Sequence, residues 1–382
     1  MELFTKIDIP ASSTRIDYTS RIAFFGSCFA DNISAQFAAR KFGVLANPFG
    51  TVYNPVSIAR QIRAIADGKV FGEGDVFQDA RGLQDVSGKQ DARGNQDARG
   101  PWYSWDAHGS LSGATREECI KKLNEAAKRT REFLQQADVV FITLGTAFVY
   151  YLKDASTMAG NGDAHERAVA NCHRQDPALF ERRMIGVEEA AQALREIVES
   201  ICRIKNQDWI ATPTARDDDR KFRIVFTVSP LRHMGDGAHN NTLSKATLQL
   251  AVNNVINKVT TVPSASSGTI PVSYFPSYEI VMDELRDYRF YGSDMVPLSE
   301  TAEEYIFERM AESYCSEKTR KDIAQVEKFM RMANHRIADP ESPATRAFTE
   351  KILAQAKSLE SSISGLDLSE EIAKFSKISG NP

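Results

Sequence analysis

The chain lacks any apolar run approaching the roughly 18 residues needed to span a bilayer as a helix, so no membrane association is expected. Its start, MELFTKIDIP, lacks the basic-then-apolar pattern of a signal peptide, which makes a cytoplasmic protein the expectation. Cysteine is sparse. The five residues Cys28, Cys119, Cys172, Cys202 and Cys315 are scattered and form no C-x-x-C pair, so the sequence shows neither zinc-site spacing nor a redox dithiol, and reduced thiols are expected. Neither sign of charge is in excess: 47 Lys+Arg against 51 Asp+Glu give a net charge of −4. With no basic surplus to attract a phosphate backbone, nucleic acid is not an expected partner. What remains, in 382 residues with 42% hydrophobic and 26% charged, is ordinary globular composition with enough length for a full core.

Apolar runs rich in β-formers recur at Arg21–Phe25, Asp138–Leu144, Arg223–Val228 and Ile270–Tyr274, and read as buried strands of one sheet. Helical periodicity fills the spaces between, at Asp31–Lys41, Thr115–Gln136, Val187–Lys205 and Ser244–Val259. The alternation predicts an α/β sandwich with a mainly parallel sheet and chemistry just beyond the C-terminal strand ends. Two regions depart from it. Gln78–Pro101 is four imperfect hexapeptides (QDARGL QDVSGK QDARGN QDARGP), too polar to bury a core and read as an expanded surface loop. Beyond Glu303 the chain is strongly helical, breaks near Asp339-Pro340, resumes at Ala344–Ser358 and reads as an α-helical appendage.

The first strand runs directly into Gly26-Ser27-Cys28-Phe29-Ala30. A small nucleophile between a strand end and a helix start is exposed at the lip of the sheet and faces backbone N–H groups able to stabilise an oxyanion, an arrangement suited to acyl transfer. The same letters also describe an ordinary serine N-cap after a glycine turn. Cys28 beside it reads as a packing residue rather than a second nucleophile.

Several ordered blocks make the chain resemble the GSCFA family, itself similar to the SGNH (GDSL-like) hydrolase superfamily. They are FGSCFADNI, NPFGTVYNP, SWDAHG, ITLGTAFVY, VANCH, VSPLRHMGDGAHNNTLSKATL and YFPSYEIVMDELRDYRFYGSDMV. The resemblance implies a three-layer α/β/α sandwich with a flavodoxin-like sheet over residues 7–310, carrying 78–101 as an insertion, and a helical C-terminal extension over 311–382. It implies Ser27 as nucleophile, with the Ser27 and Gly50 amides at the oxyanion, and matches Gly145 to the third-block glycine. The superfamily's oxyanion-binding Asn is here Ala147, leaving Thr146, Asn47 and Asn171 as candidate donors.

The fourth block should be Asp-x-x-His, with the His as base and the Asp orienting it. This chain has Asp294-Met295-Val296-Pro297, so a proline stands where the base belongs. His239, in Asp236-Gly237-Ala238-His239, is the leading substitute. His233 in the same loop is a further site candidate; a metal site of His233, Asp236 and His239 lacks a fourth ligand. His173 matches a site-lining position, and it is equally an ordinary loop histidine. The implied activity is hydrolysis of an acyl ester, on an O-acylated carbohydrate or another polar small molecule, without metal or organic cofactor. The rival, favoured by Pro297, is a catalytically impaired protein that binds without turnover. Substrate and oligomeric state stay open.

Overall fold

In the computed structural model, residues 5–79, 100–153, 167–205, 222–261, 272–337, 339 and 342–378 are described. Strand β1 (Arg21–Gly26) leads into helix α1 (Cys28–Ala39), then β2 (Gly43–Ala46) and α2 (Pro55–Ala66). A two-residue ladder, β3 (Phe77–Gln78) with β4 (Trp102–Tyr103), precedes α3 (Arg116–Gln136) and β5 (Val139–Leu144). Next come β6 (Phe148–Leu152), β7 (Arg167–Val169), β8 (Phe180–Met184) and α4 (Val187–Lys205). The chain continues through β9 (Arg223–Val228), α5 (Ala238–Thr261), β10 (Val272–Tyr274), the single turn α6 (Ser277–Glu279) and a wider turn at Ile280–Glu284. Four helices finish it: α7 (Glu300–Tyr314), α8 (Glu317–Ala333), α9 (Pro343–Ser362) and α10 (Ser369–Ile378).

The central sheet has the order β10-β9-β5-β1-β2 with every pairing parallel. This is the flavodoxin-like doubly wound order, whose switch point lies where the chain leaves β1 outward to β2 and later returns to β5. Both faces are covered, which is why these strands are continuous apolar runs rather than alternating ones. Ala23, Phe25, Val140, Ile142, Ile224 and Phe226 pack on one side. Ile22, Phe24, Val139, Phe141 and Val225 pack on the other, with Phe24 stacked on Phe141 at 4.9 Å.

The structure extends and corrects the sequence expectations. Helix α1 begins at Cys28, not Asp31, and α5 at Ala238, not Ser244. Edge strand β2 and helix α2 were not anticipated, and neither was the antiparallel sheet β7-β6-β8. Of the hexapeptide segment, residues 80–99 lie outside the described residues; the β3–β4 ladder, continued by Asp79 N–H to Pro101 O at 3.2 Å, holds its two ends side by side.

The C-terminal helices share the core of the sheet's second face. Phe307 of α7 meets Phe37 of α1 edge-on at 4.9 Å and lies under the Arg40 guanidinium at 4.0 Å. The same apolar cluster runs from Phe24 through Val326 and Phe329 to Ile352, Leu359 and Phe375. Residue 310 lies inside α7, whose buried face belongs to this continuous core. A buried ion pair ties this layer to the chain's start. Glu284 accepts the Ile7 amide at 2.5 Å and the Tyr305 hydroxyl at 2.7 Å, and it faces Arg309 at 3.3 Å, whose guanidinium also meets Ile7 O and Glu312. Both side chains are buried, so removing one leaves an uncompensated charge at a cost of about 3–5 kcal/mol. Arg309→Met should lower the denaturant midpoint accordingly in equilibrium urea unfolding, and an unchanged midpoint would show that the pair contributes little to holding the extension.

Candidate active site

At the switch point β1 ends in Gly26, with φ of +131°. A Cβ there would stand 2.0 Å from Thr143 O of β5, so only glycine lets the two strand ends approach. Val52 N–H donates to Gly26 O at 2.9 Å, drawing in the loop after β2. Asn47 fixes this corner. Its backbone N–H donates to Phe24 O at 2.9 Å, and its Oδ1 accepts from Gly26 N–H at 2.8 Å. Its Nδ2 donates to Asp31 Oδ1 at 2.7 Å, while the Thr51 hydroxyl donates to Asp31 Oδ2 at 3.0 Å. Asn47 holds φ of +35°, a left-handed conformation that asparagine tolerates better than most residues.

Ser27 is the N-cap residue of α1, with φ −70° and ψ 172°, yet its hydroxyl makes no cap hydrogen bond. The N-caps of α2, α3, α7, α8 and α9 (Asn54, Thr115, Ser299, Ser316 and Ser342) all accept the amide three residues on. Such a bond is typically worth about 1 kcal/mol. Ser27 forgoes it, although its Oγ is buried and has no hydrogen-bond partner among the described residues, and the residue is only 2% exposed. The neighbouring thiol is no rival: burial, with Asp31 adding to it, pushes Cys28 above the ordinary thiol range despite the Phe29 and Cys28 amides that face it.

The second wall is the loop after β5. Gly145 and Thr146 donate their amides to Tyr53 O at 2.7 and 3.0 Å. A Cβ on Gly145 would stand 3.1 Å from Tyr53 Cδ1 and 3.2 Å from Ser27 Cβ, so the tyrosine ring and the serine flank one glycine. Helix α5 holds this loop from behind. Ser244 Oγ accepts Ala147 N–H at 2.7 Å and lies 3.2 Å from Thr146 Oγ1, while Lys245 Nζ donates to Gly145 O at 2.6 Å. Lys245 is 2% exposed, and burial lowers its pKa to about 7; Cys28 and Asp236 oppose the drop and Arg232 adds to it. One turn earlier on α5, the buried Asn241 Nδ2 has no partner among the described residues.

The structure brings together Ser27, Asn47 and Gly145, and gives Asn47 a different task from the one expected. Both ends of its amide hold the turn, and neither is free to meet an oxyanion. The Gly50 amide donates to Asn47 O at 2.7 Å, and the Ser27 amide to Thr143 O at 3.2 Å. Thr146 Oγ1 is taken up by Ser244 and the Phe148 amide. Asn171 Oδ1 accepts the His173 amide at 2.7 Å, and the His173 ring is buried against Tyr103, Phe77 and Trp105, with Nε2 2.8 Å from Ser104 O. Burial lowers its pKa, and it packs in an aromatic cluster rather than against Ser27.

No histidine forms a hydrogen bond to Ser27 Oγ among the described residues. His239 is exposed on the first turn of α5. His233 is half exposed, 3.4 Å from buried Asp236 and edge-on to Tyr53 at 6.4 Å; Asp236 also pairs with Arg182. Asp294 is exposed and accepts the Val296 amide within its own turn at 3.2 Å, and Pro297 packs against Gly292. Among the described residues, no group of three or more His, Cys, Asp or Glu is placed to hold a metal ion.

A model of the GSCFA family matches residues 21–310, and one described as the GSCFA domain protein, C-terminal domain, matches residues 326–378. The chain belongs to the GSCFA family. No curated protein and no solved structure matches it. The pentapeptide that spells GSCFA is the turn just described: its glycine lets β1 approach β5, its serine is the uncapped hydroxyl, and its last three residues open α1. Tyr53, Asp31, Asn241 and Lys245 complete the corner. Sequence patterning does not single them out, although Lys245 is a lone charge in the otherwise uncharged stretch Ala238–Asn257.

The corner makes a stability prediction. Asn47→Ala strands the Gly26 amide and removes a donor from Asp31, and should cost about 1–3 kcal/mol. Gly26→Ala should cost more, because its methyl has no space. Equilibrium unfolding of both variants checks the order, and a Gly26→Ala protein as stable as the parent would refute the close approach.

Proposed function

We propose that the protein is a serine-dependent acyl hydrolase in which Ser27 attacks the carbonyl of an ester. The observation that supports this is the orphaned Ser27 hydroxyl: a buried O–H at the switch point of a doubly wound sheet, without the cap bond that comparable residues make. An unmade buried hydrogen bond is costly, and such groups call for a reason outside the static fold. A reacting acyl group is one. Ser27 stands at the N-terminus of α1, whose positive end would favour a developing oxyanion. Polar groups at the corner, Asp31 and Thr51, with His233 edge-on to Tyr53, favour a polar acyl ester, such as an O-acylated carbohydrate, over a long-chain lipid.

A second reading has its own support. Pro297 replaces the usual base and Ser27 Oγ is closed off, as expected of a binding protein that has kept the corner without turnover. A fluorophosphonate probe separates the two. Labelling that disappears in Ser27→Ala supports the hydrolase, and a folded protein that no probe labels supports the binding protein.

Tyr53 supplies a further prediction. Its ring flanks Gly145 beside Ser27 and is 39% exposed, so it is the side chain in position to cover the hydroxyl. Tyr53→Ala keeps the carbonyl that pins Gly145 and Thr146 and should raise the labelling rate of Ser27 several-fold. A slower rate would assign the ring to holding the substrate instead.

A further inference from the structure

The serine hydrolase reading requires a group to receive the Ser27 proton, and the family's usual position for it is a proline. We propose that Lys245 is the base for Ser27, reaching it across Gly145 from the first half of α5. Three observations converge on it. Lys245 is hydrogen-bonded to the carbonyl of Gly145, the residue against whose Cα the serine packs. It is buried, as Ser27 is, and it acts electrostatically on Cys28, the residue next to Ser27, whereas His233 is half exposed with the Tyr53 ring beside it and His239 is exposed. Its only hydrogen-bond partner among the described residues is that carbonyl, and Asp236 and Cys28 are the acidic groups that act on it. No carboxylate among the described residues forms an ion pair with Nζ to fix it as an ammonium.

Burial places its pKa at about 7, so near neutral pH a large fraction is the free amine. A neutral amine donates one N–H to Gly145 O and keeps a lone pair. That lone pair accepts the Ser27 proton as Oγ bonds to the acyl carbon; the ammonium returns the proton to the alcohol oxygen as the ester C–O bond breaks. In the second half the amine takes a proton from water as its oxygen attacks the acyl-enzyme, and the ammonium protonates Ser27 Oγ as it leaves. One ester and one water give one acid and one alcohol. In the free protein Oγ and Nζ are not hydrogen-bonded, so the contact belongs to the reactive complex, where catalytic hydrogen bonds commonly tighten.

The test is the pH dependence of Ser27 labelling by a fluorophosphonate, in the full chain, with Lys245→Arg, Lys245→Met and His233→Ala. The labelling rate should rise with pH through a midpoint near 7 and level off, because the deprotonated amine is the active form. Lys245→Arg keeps a donor for Gly145 O but does not deprotonate in this range, and should lose at least 100-fold at pH 8, as should Lys245→Met. The midpoint should persist in His233→Ala. That arm decides the question even where the lysine variants fail to fold: a midpoint that vanishes with His233 overturns the proposal. Labelling retained in a folded Lys245→Arg protein also overturns it while leaving the hydrolase reading intact, and a wild-type protein labelled at no pH removes both.

Discussion

The Asn47 side chain is the constraint on which the corner depends. Three segments meet there: the end of β1, the first turn of α1 and the loop after β2. Asn47 joins them by accepting from Gly26 N–H and donating to Asp31. Neither half of that clamp is available to a residue of one polarity. An aspartate would face Asp31 with a like charge, and an aliphatic residue would leave a buried amide unpaired, so the requirement is for a carboxamide. Once Gly26 is fixed, its close approach to Thr143 sets the spacing of β1 and β5, and Ser27 follows at the start of α1 without a cap hydrogen bond.

How much of this is legible in the sequence follows from what each element buries. Strands β1, β5 and β9 are legible because burial on both faces makes them unbroken apolar runs. The edge strand β2 is only Gly43–Ala46 and half its residues are exposed, so it leaves no such run. Helix α4 is legible to the residue because its first turn is acidic, its last turn basic and its buried face strongly apolar. Helix α5 is misplaced by six residues at its start, where Ala238–Leu243 is mostly exposed and polar and its helicity depends on Asn241 N–H reaching Gly237 O. The antiparallel sheet β7-β6-β8 is harder still, because residues 154–166 separate β6 from β7 and the pairing is non-local.

For the site, family resemblance picks out Ser27, Asn47 and Gly145, but it assigns roles by analogy, and the geometry reassigns them. A motif records that a residue type is required without recording which of its atoms is engaged. Asn47 and Gly50 hold the turn, His173 fills an aromatic cluster and Asp294 caps its own turn. Lys245 carries no motif at all. Its significance is its burial, which is a property of the packed α5–β5 contact and not of the letters around it.

That burial bears on which of two adjacent nucleophiles the corner uses. Removing water disfavours charge of either sign, so the same environment that lowers the Lys245 ammonium raises the Cys28 thiol. Burial thus holds the thiol protonated and weakens the ammonium, and a thiolate–ammonium pair is disfavoured. The serine is placed differently. It lies at the cap position, at the positive end of α1, which in the proposed reaction would favour an oxyanion. On the proposed mechanism a charge-separated state is unfavourable in this buried corner and develops only as an acyl carbon accepts the Ser27 oxygen. The proposed reaction needs no ionised nucleophile in waiting, which agrees with a Ser27 hydroxyl that is buried and without a hydrogen-bond partner among the described residues.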